Sequence, residues 1–484
     1  MQQLGDQFNE SIDAIRIDED GNFYIAGLFF EQITLGDTTL LSRGQSDIYL
    51  AKLDSQGQVI WAQRGGSDFA DVLEAIQLGP DGQLYCTGSY FVEADFAKAQ
   101  LKDTRGPKAI FLCKYTPQGN LVWATDLEGS NFKAFPTMAI DADANITLAG
   151  YFQDSLFVQD TILSADNGAD LALVQFDSSG QRRWLRQVNT TNEYRPAALK
   201  INTKGELIVA GSYKGVAIFG NDTLRSNTAD FDVFVAAFDP EGRARWGRKA
   251  GGVHEDQCTA LALDEQNRIY LTGQYFGVMK LSEEISIQTD GFNNNFYLLQ
   301  YAADGTPFRA RSLGNPMLDE AGNALLINGS TVYLAGTFRD QLDIDGKNIQ
   351  GGAGSFDGFV AAFDTTTQLK WIQSIPASNI VLPELLVQRE QSIFVAGSFI
   401  GTAGFDAQSL NTDNHFDLFI ARLSETLTPV AATVTQSAFQ LYPNPTRTQI
   451  FIESPINNYW VKLYDPFGKL LLEKRNPVSL SLDQ

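Results

Sequence analysis

One short string returns seven times along the chain. It reads apolar residue, Ala or Thr, Gly, any residue, then Tyr or Phe, and its glycines are Gly27, Gly88, Gly150, Gly211, Gly273, Gly336 and Gly397. The spacings are 61, 62, 61, 62, 63 and 61 residues. A second landmark keeps the same phase: Asp47-Ile-Tyr-Leu-Ala recurs at Asp170, Asp232, Asp357 and Asp417, with Ala109 and Asn295 in the two remaining copies. A third is a tryptophan at 61, 123, 184, 246 and 371, with Phe308 in the missing slot. Three landmarks in one phase define a repeat of about 62 residues. A repeat constrains the fold more than any local propensity does, because each unit must bury itself against its neighbours.

Each unit reads as β structure. In the second copy, Ala75–Leu78 and Leu84–Tyr90 flank the turn Gly-Pro-Asp-Gly, and Ala109–Tyr115 and Leu121–Thr125 flank Thr-Pro-Gln-Gly. That makes about four strands in two hairpins, and no segment keeps a helical period. A run such as Phe23-Tyr-Ile-Ala-Gly-Leu-Phe29 is apolar on both faces, so it must be covered on both sides. Small sheets wedged between similar sheets meet that demand, which is the radial packing of a β-propeller. The expected fold is therefore all-β: a seven-bladed propeller over residues 1–427, with about four strands per blade. A linear solenoid competes, but near-constant units favour closure, which removes exposed edges. The strand Gly predicts a close backbone approach or a bulge, and the Trp predicts an inter-blade filler.

Composition divides the chain at the same place. The 484 residues carry 36 Lys+Arg and 58 Asp+Glu, a net charge of -22. Residues 1–427 hold 41 of the 42 glycines and a charge of -23, whereas 428–484 hold one glycine, six of the 16 prolines and a charge of +1. A linker at 428–437 and a separate β-rich tail at 438–484, resembling a small incomplete sandwich, follow. The acidic balance, with no Lys/Arg cluster, argues against nucleic acid. No apolar run approaches the roughly 18 residues of a membrane span. Two His and three Cys leave no His-rich or Cys-rich metal site.

The loops entering each unit carry Asp68, Asp71, Glu193, Glu255, Asp256, Asp319 and Glu320. If they share one rim they form an acidic funnel, and a carboxylate pair within it could do acid–base work on a glycan. Solvated loop charge is the plainer reading. Phe69, Phe132 and Tyr194 enter three consecutive units and suit stacking on a sugar or partner, or packing on the adjacent blade. His254 and His415 read as surface-loop residues, with no nucleophile elbow or triad around them. Asp18-Glu-Asp-Gly21 reads as a hairpin turn; a weak Ca²⁺ site there stays open as an alternative, and no other cofactor is expected. The repeated Asp at each strand entrance is expected to bind backbone amides. Cys86, Cys113 and Cys258 read as buried packing residues, a bond between the first two being the less favoured alternative.

These landmarks resemble the bacterial seven-bladed β-propeller repeat family, whose repeats read Asp-x-Phe-Val-Ala…Gly-x-x-x-Trp. The resemblance implies a secreted or surface protein and no single activity. In the tail, Tyr442-Pro-Asn-Pro445, Val461-Lys-Leu-Tyr-Asp465 and Phe467-Gly-Lys-Leu-Leu471 resemble the C-terminal sorting domain of the type IX secretion system of Bacteroidetes-type bacteria. That resemblance implies export across the outer membrane, with the secretion machinery as a partner. The last hairpin, with its Gly-x-Tyr element, is missing after Leu482, and one period before Trp61 falls just before Met1, so both ends are expected to belong to a longer protein. Leu427–Val434 is then the expected stand-in for the strand that closes blade seven. The functional expectation is a non-catalytic scaffold binding a protein or glycan partner through rim loops. The alternative is a propeller glycoside hydrolase or lyase.

Overall fold

The computed structural model describes residues 2–4, 8–130, 133–226, 230–289, 293–315, 318–390, 392–405, 408–412 and 415–423, and in the tail the backbone of 440–442, 449–453, 460–464, 470–475 and 479–481. Every element among them is a strand. The chain divides into two units, Met1–Leu423 and Ser424–Gln484.

In the first unit each repeat builds one antiparallel meander. The first sheet runs Ala14–Ile17, Phe23–Phe29, Asp47–Leu53 and Val59–Ser67, paired in that order. The second runs Val72–Leu78, Leu84–Phe91, Lys108–Tyr115 and Leu121–Gly129. The next four sheets begin at Lys133–Ile140, Glu193–Ile201, Asp256–Leu263 and Ala321–Asn328 and repeat the same order. In the seventh, Ile380–Arg389, Ser392–Ile400 and Asp417–Leu423 are completed by Gln2–Leu4 from the other end of the unit. Leu4 stands opposite Leu418 where Gly65 stands opposite Ile48, so Gln2–Leu4 holds the outer-strand position. The expected stand-in, Leu427–Val434, lies outside the described residues. Among the described residues each inner strand touches the next, and the seventh touches the first, so the strand pairing closes seven sheets into a β-propeller.

The two-faced apolar strands explain the packing. Every residue of Asp47–Leu53 and Asp232–Phe238 is buried, because both faces meet a neighbouring sheet. One core cluster joins Tyr24 and Leu50 of the first sheet to Tyr90 and Phe111 of the second. Another joins Ile25 and Tyr49 of the first to Ala396 and Leu418 of the seventh, burying the closing seam. The repeated Trp also works between sheets: Trp61 donates Nε1–H to Pro117 O of the next sheet at 3.1 Å, and Trp123 donates to Ser178 O at 3.1 Å.

Alternating strand direction sorts the connections onto two faces. Tight turns within hairpins lie at one face, the turn face. The links between sheets lie at the other, the loop face, with a short arm hairpin between the second and third strands. These arms clamp the ring: Ala94–Phe96 of the second sheet pairs with Gly65–Ser67 of the first. In the tail, Gln440–Tyr442, Gln449–Glu453 and Ser479–Ser481 form one small sheet, and Trp460–Tyr464 with Leu470–Arg475 a second.

Candidate functional site

The repeated glycine sets the shape of the central channel. A Cβ on Gly88 would run into the carbonyl oxygen of Val72, and one on Gly27 into that of Ser11. The inner strand approaches this closely because it bulges. Leu73 opposes Gly88 but Ala75 already opposes Thr87, leaving Glu74 as an extra residue. Glu10 opposes Phe29 and Ala14 opposes Ala26, so the first sheet also holds one extra residue. The same slip falls at Pro136, Ala197, Thr259, Asn323 and Glu384. A bulge re-aims its extra side chain. Here the bulge residues Asp13, Glu74, Pro136, Ala197, Thr259, Asn323 and Glu384 line one cavity of about 220 Å³, to which all seven inner strands contribute.

Three of these residues are carboxylic acids, and they come from adjacent sheets, the seventh, first and second. Burial pushes Asp13 up to about 6, opposed by its hydrogen bond with Ser11 and reinforced by Glu74. Burial pushes Glu384 up to about 7, with the charge of Asp13 adding to it. Glu74 is raised by burial and partly restored by Lys108. Glu384 is open to channel water yet enclosed by protein on most sides, so it is hydrated less well than a surface carboxylate. Asp13 Oδ2 is buried with no hydrogen-bond partner among the described residues. Asp13 and Glu384 therefore mix carboxyl and carboxylate near neutral pH and can both donate and accept protons. Three residues further along the strands, Arg16, Gln77 and Lys200 line the same cavity.

The expected rim funnel is corrected. Asp71, Tyr194, Asp256 and Glu320 are buried, with Glu320 at 3% and the other three at 0% exposure. They occupy one repeat position, three residues before the bulge in every copy, which Glu10, Lys133 and Val381 fill in the other sheets; all seven are buried. Strand alternation turns this position between sheets rather than towards water. The carboxylates there staple the inter-sheet links. Asp71 accepts Ser67 N–H at 2.6 Å and Ser67 Oγ at 2.8 Å. Asp256 accepts Gly252 N–H at 2.9 Å, and Glu320 accepts Asn315 N–H at 2.8 Å. Burial pushes Asp71 up to about 7, opposed by the bonds from Ser67 and reinforced by Asp47. It pushes Asp256 up to about 8, reinforced by Asp232, and Glu320 up to about 8. Tyr194 packs edge-on against Phe234 at 5.5 Å and Phe219 at 6.1 Å, so it fills a joint.

The remaining candidates stay on the loop face. Asp68 pairs with Arg43 at 2.7 Å, and Phe69 is 50% exposed, tilted against Phe91 at 6.5 Å. Glu193 accepts Arg195 Nε–H at 2.9 Å, and Glu255 accepts Gln257 Nε2–H at 2.8 Å. His254 is exposed and meets Phe276 edge-on at 4.7 Å, and Asp319 is exposed. Phe132 lies outside the described residues. His415 is half-buried, not a free surface residue, with Nε2 3.4 Å from Asp417. Three of the repeated aspartates bind backbone amides as their position predicts: Asp47 accepts Arg43 N–H at 3.0 Å, Asp170 accepts Thr190 N–H at 2.8 Å and Asp357 accepts Ala377 N–H at 2.6 Å. Asp18 is taken up by its own turn and by Lys52 at 3.1 Å. Among the described residues no three His, Cys, Asp or Glu gather as metal ligands. Cys86 and Cys113 are free, buried and opposite each other in register.

The channel acids were not among the expected site residues. Their signal is phase: each bulge residue falls 14 residues before its repeat glycine, or 13 in the last two copies. Only the bulge makes that position face the channel.

No protein-family profile matches the chain. A stretch of 174 residues, 34% of the chain, is 28% identical to the regulatory protein FlaEY of Caulobacter vibrioides and covers 18% of it. Another of 234 residues, 40% of the chain, is 21% identical to the uncharacterized WD repeat-containing protein L264 of Acanthamoeba polyphaga mimivirus and covers 17% of it. The chain thus spans less than a fifth of either relative. Among solved structures, the polysaccharide lyase Uly1 superposes with a TM-score of 0.45 at 10% identity, covering 85% of this chain and 90% of that one. A 6-phosphogluconolactonase-like protein of Bacteroides fragilis gives 0.39 at 11% identity, covering 82% and 97%.

Proposed function

We propose that the protein is a binding scaffold that recognises a glycan or protein partner at the loop-face mouth of its central channel. One observation carries this reading. The glycine, aromatic and tryptophan positions repeat almost unchanged, while the bulge position holds Asp, Glu, Pro, Ala, Thr, Asn and Glu in turn. A constant frame presenting a varied ring of side chains is how a symmetric fold makes an asymmetric site. Exposed Phe69 and His254 on the same face widen the recognition surface. The tail's resemblance to a sorting domain supports a secreted or cell-surface location, reached through type IX export. Retention on glycan and protein arrays tests the reading. Asn323→Ala and Glu74→Gln should each weaken retention at least tenfold with unchanged melting; retention unaffected by both sinks it.

A second reading is an enzyme that cleaves a polysaccharide by acid–base chemistry in the channel. It is favoured by Asp13 and Glu384, neighbours whose titrations centre at about 6 and about 7, where one can donate while the other accepts. Turnover of a polysaccharide panel, abolished by Asp13→Asn or Glu384→Gln, would establish it. Retention without turnover leaves the scaffold.

A further inference from the structure

We infer that the deeper level of the channel is an oxyanion site, in which Arg16 and Lys200 take the carboxylate or sulfate of a ligand. The inference rests on the channel being the recognition site and names the chemistry of what it recognises.

The two cations come from the first and fourth inner strands and line one cavity. Arg16 is already aimed. Its Nε–H donates to Gln77 Oε1 at 2.8 Å and its Nη1–H to Ile15 O at 2.6 Å, while Gln77 Nε2–H donates to Met138 O at 3.2 Å. That chain of bonds crosses three inner strands and fixes the guanidinium without giving it a counter-charge. Lys200 makes no hydrogen bond and no ion pair among the described residues. At the equivalent register the other strands carry Gln77, Ala139, Ala262, Leu326 and Val387, so no strand offers a carboxylate at this level. The channel acids Asp13, Glu74 and Glu384 lie three residues back along their strands, a backbone rise of about 10 Å at roughly 3.3 Å per residue. No ion pair joins either cation to them among the described residues. Asp18, towards the turn face, is held by Asn22 and Lys52.

Two like charges lining one cavity repel, and an anion between them offsets that repulsion. The titration of both groups is consistent with that arrangement. Lys200 is open to the channel yet ringed by protein atoms, and that partial desolvation, followed by the charge of Arg16, lowers it to about 8; desolvation likewise lowers Arg16 to about 10. An oxyanion between them would reverse both effects, and a guanidinium with a free edge beside a mobile ammonium matches its geometry. Gln77 holds the guanidinium in place as a positioning residue.

The experiment uses the full chain and three probes: sodium sulfate, a sulfated or uronate-bearing oligosaccharide, and a neutral oligosaccharide of equal length. Sulfate binding by calorimetry is paired with NMR titration of the Lys200 ammonium. Sulfate should raise the Lys200 titration from about 8. Lys200→Met should weaken sulfate at least tenfold, and Lys200→Arg should retain it. Oligosaccharide binding at least tenfold tighter than sulfate assigns the site to an anionic group of a larger ligand; equal affinity assigns it to a free inorganic anion. Sulfate affinity that is the same in wild type and Lys200→Met, or a Lys200 titration that sulfate leaves in place, overturns the inference. If the neutral oligosaccharide alone binds, with loss in Asn323→Ala, the channel reading survives and the anion site falls. If sulfate alone binds, with loss in Lys200→Met, the anion site stands and the wider channel reading falls.

Discussion

Asp71, at the entry to the inner strand Val72–Leu78, and Glu74, within it, lie three residues apart and in different surroundings. Asp71 is sealed in the joint between the first and second sheets, where both its oxygens are engaged by Ser67. Glu74 stands in a bulge that turns it into the channel. Both are raised by burial, but with different neighbours: Asp47 and Arg64 for the first, Lys108 for the second. The difference in placement recurs at Glu10, which is buried, and Asp13, which lines the channel. It teaches that the ring keeps two sets of carboxyl groups, one that holds sheets together and one that is free to meet a ligand. The bulge is the device that separates them.

The largest test of that separation removes the bulge. Gly88→Ala should destabilise the protein by about 3 kcal/mol, because the new methyl meets the Val72 carbonyl, which is backbone and not the yielding end of a side chain. Gly82→Ala is the control. Its methyl meets open space, so only its positive φ of 70° is penalised, by about 1 kcal/mol. Urea midpoints compare the two, and equal losses would show that the inner strand relaxes freely.

The next test sets the two carboxylates against each other. Asp71→Ala should destabilise by about 2 kcal/mol, since it strands a buried Ser67 amide and hydroxyl. Glu74→Ala should stay within about 0.5 kcal/mol, because a desolvated acid without a hydrogen-bonded role contributes little. A loss at Glu74 as large as at Asp71 would collapse the distinction.

Stability against pH reads the joint set as a whole. Asp71 at about 7, Asp256 at about 8 and Glu320 at about 8 all lie above their unfolded values. Their contribution is fully present below about pH 4 and is lost as pH rises through 7 to 8. From these groups the melting temperature should fall between pH 5 and pH 9, and Asp71→Asn should remove part of the fall. A melting temperature that climbs across that range contradicts the placement of these groups.

How far this was legible from sequence follows from the same strand. The repeat exposed the ring, because three landmarks in one phase can only be satisfied by like units packed side by side. It also read the strand-entry Asp47, Asp170 and Asp357 correctly, since an acid at a recurring turn has amides to bind. It misplaced three of the acids. Asp71, Asp256 and Glu320 look like rim residues because they sit at the end of polar loops, yet the strand has already turned inward there. Side chains alternate along a strand, and one inserted residue reverses the alternation beyond it. Nothing in the local sequence around Glu74 marks that insertion. Only the glycine 14 residues later, on the paired strand, makes room for it, and that link is a contact rather than a pattern.

The finest test asks whether the two sets are electrically separate. Glu384 is raised by burial first and by the charge of Asp13 second. Asp13→Asn should therefore move the Glu384 titration down from about 7. Asp71 also titrates at about 7, but its charged neighbours are Asp47 and Arg64, both in the joint. Its titration should stay where it is in the same variant. Carboxyl resonances followed by NMR through pH 5 to 9 distinguish the two groups once Asp71→Asn has assigned one of them. A shift of both in Asp13→Asn would mean that channel and joint share one field. In that case, binding in the channel would be felt at the seams of the ring, and a ligand would change how firmly the sheets are joined.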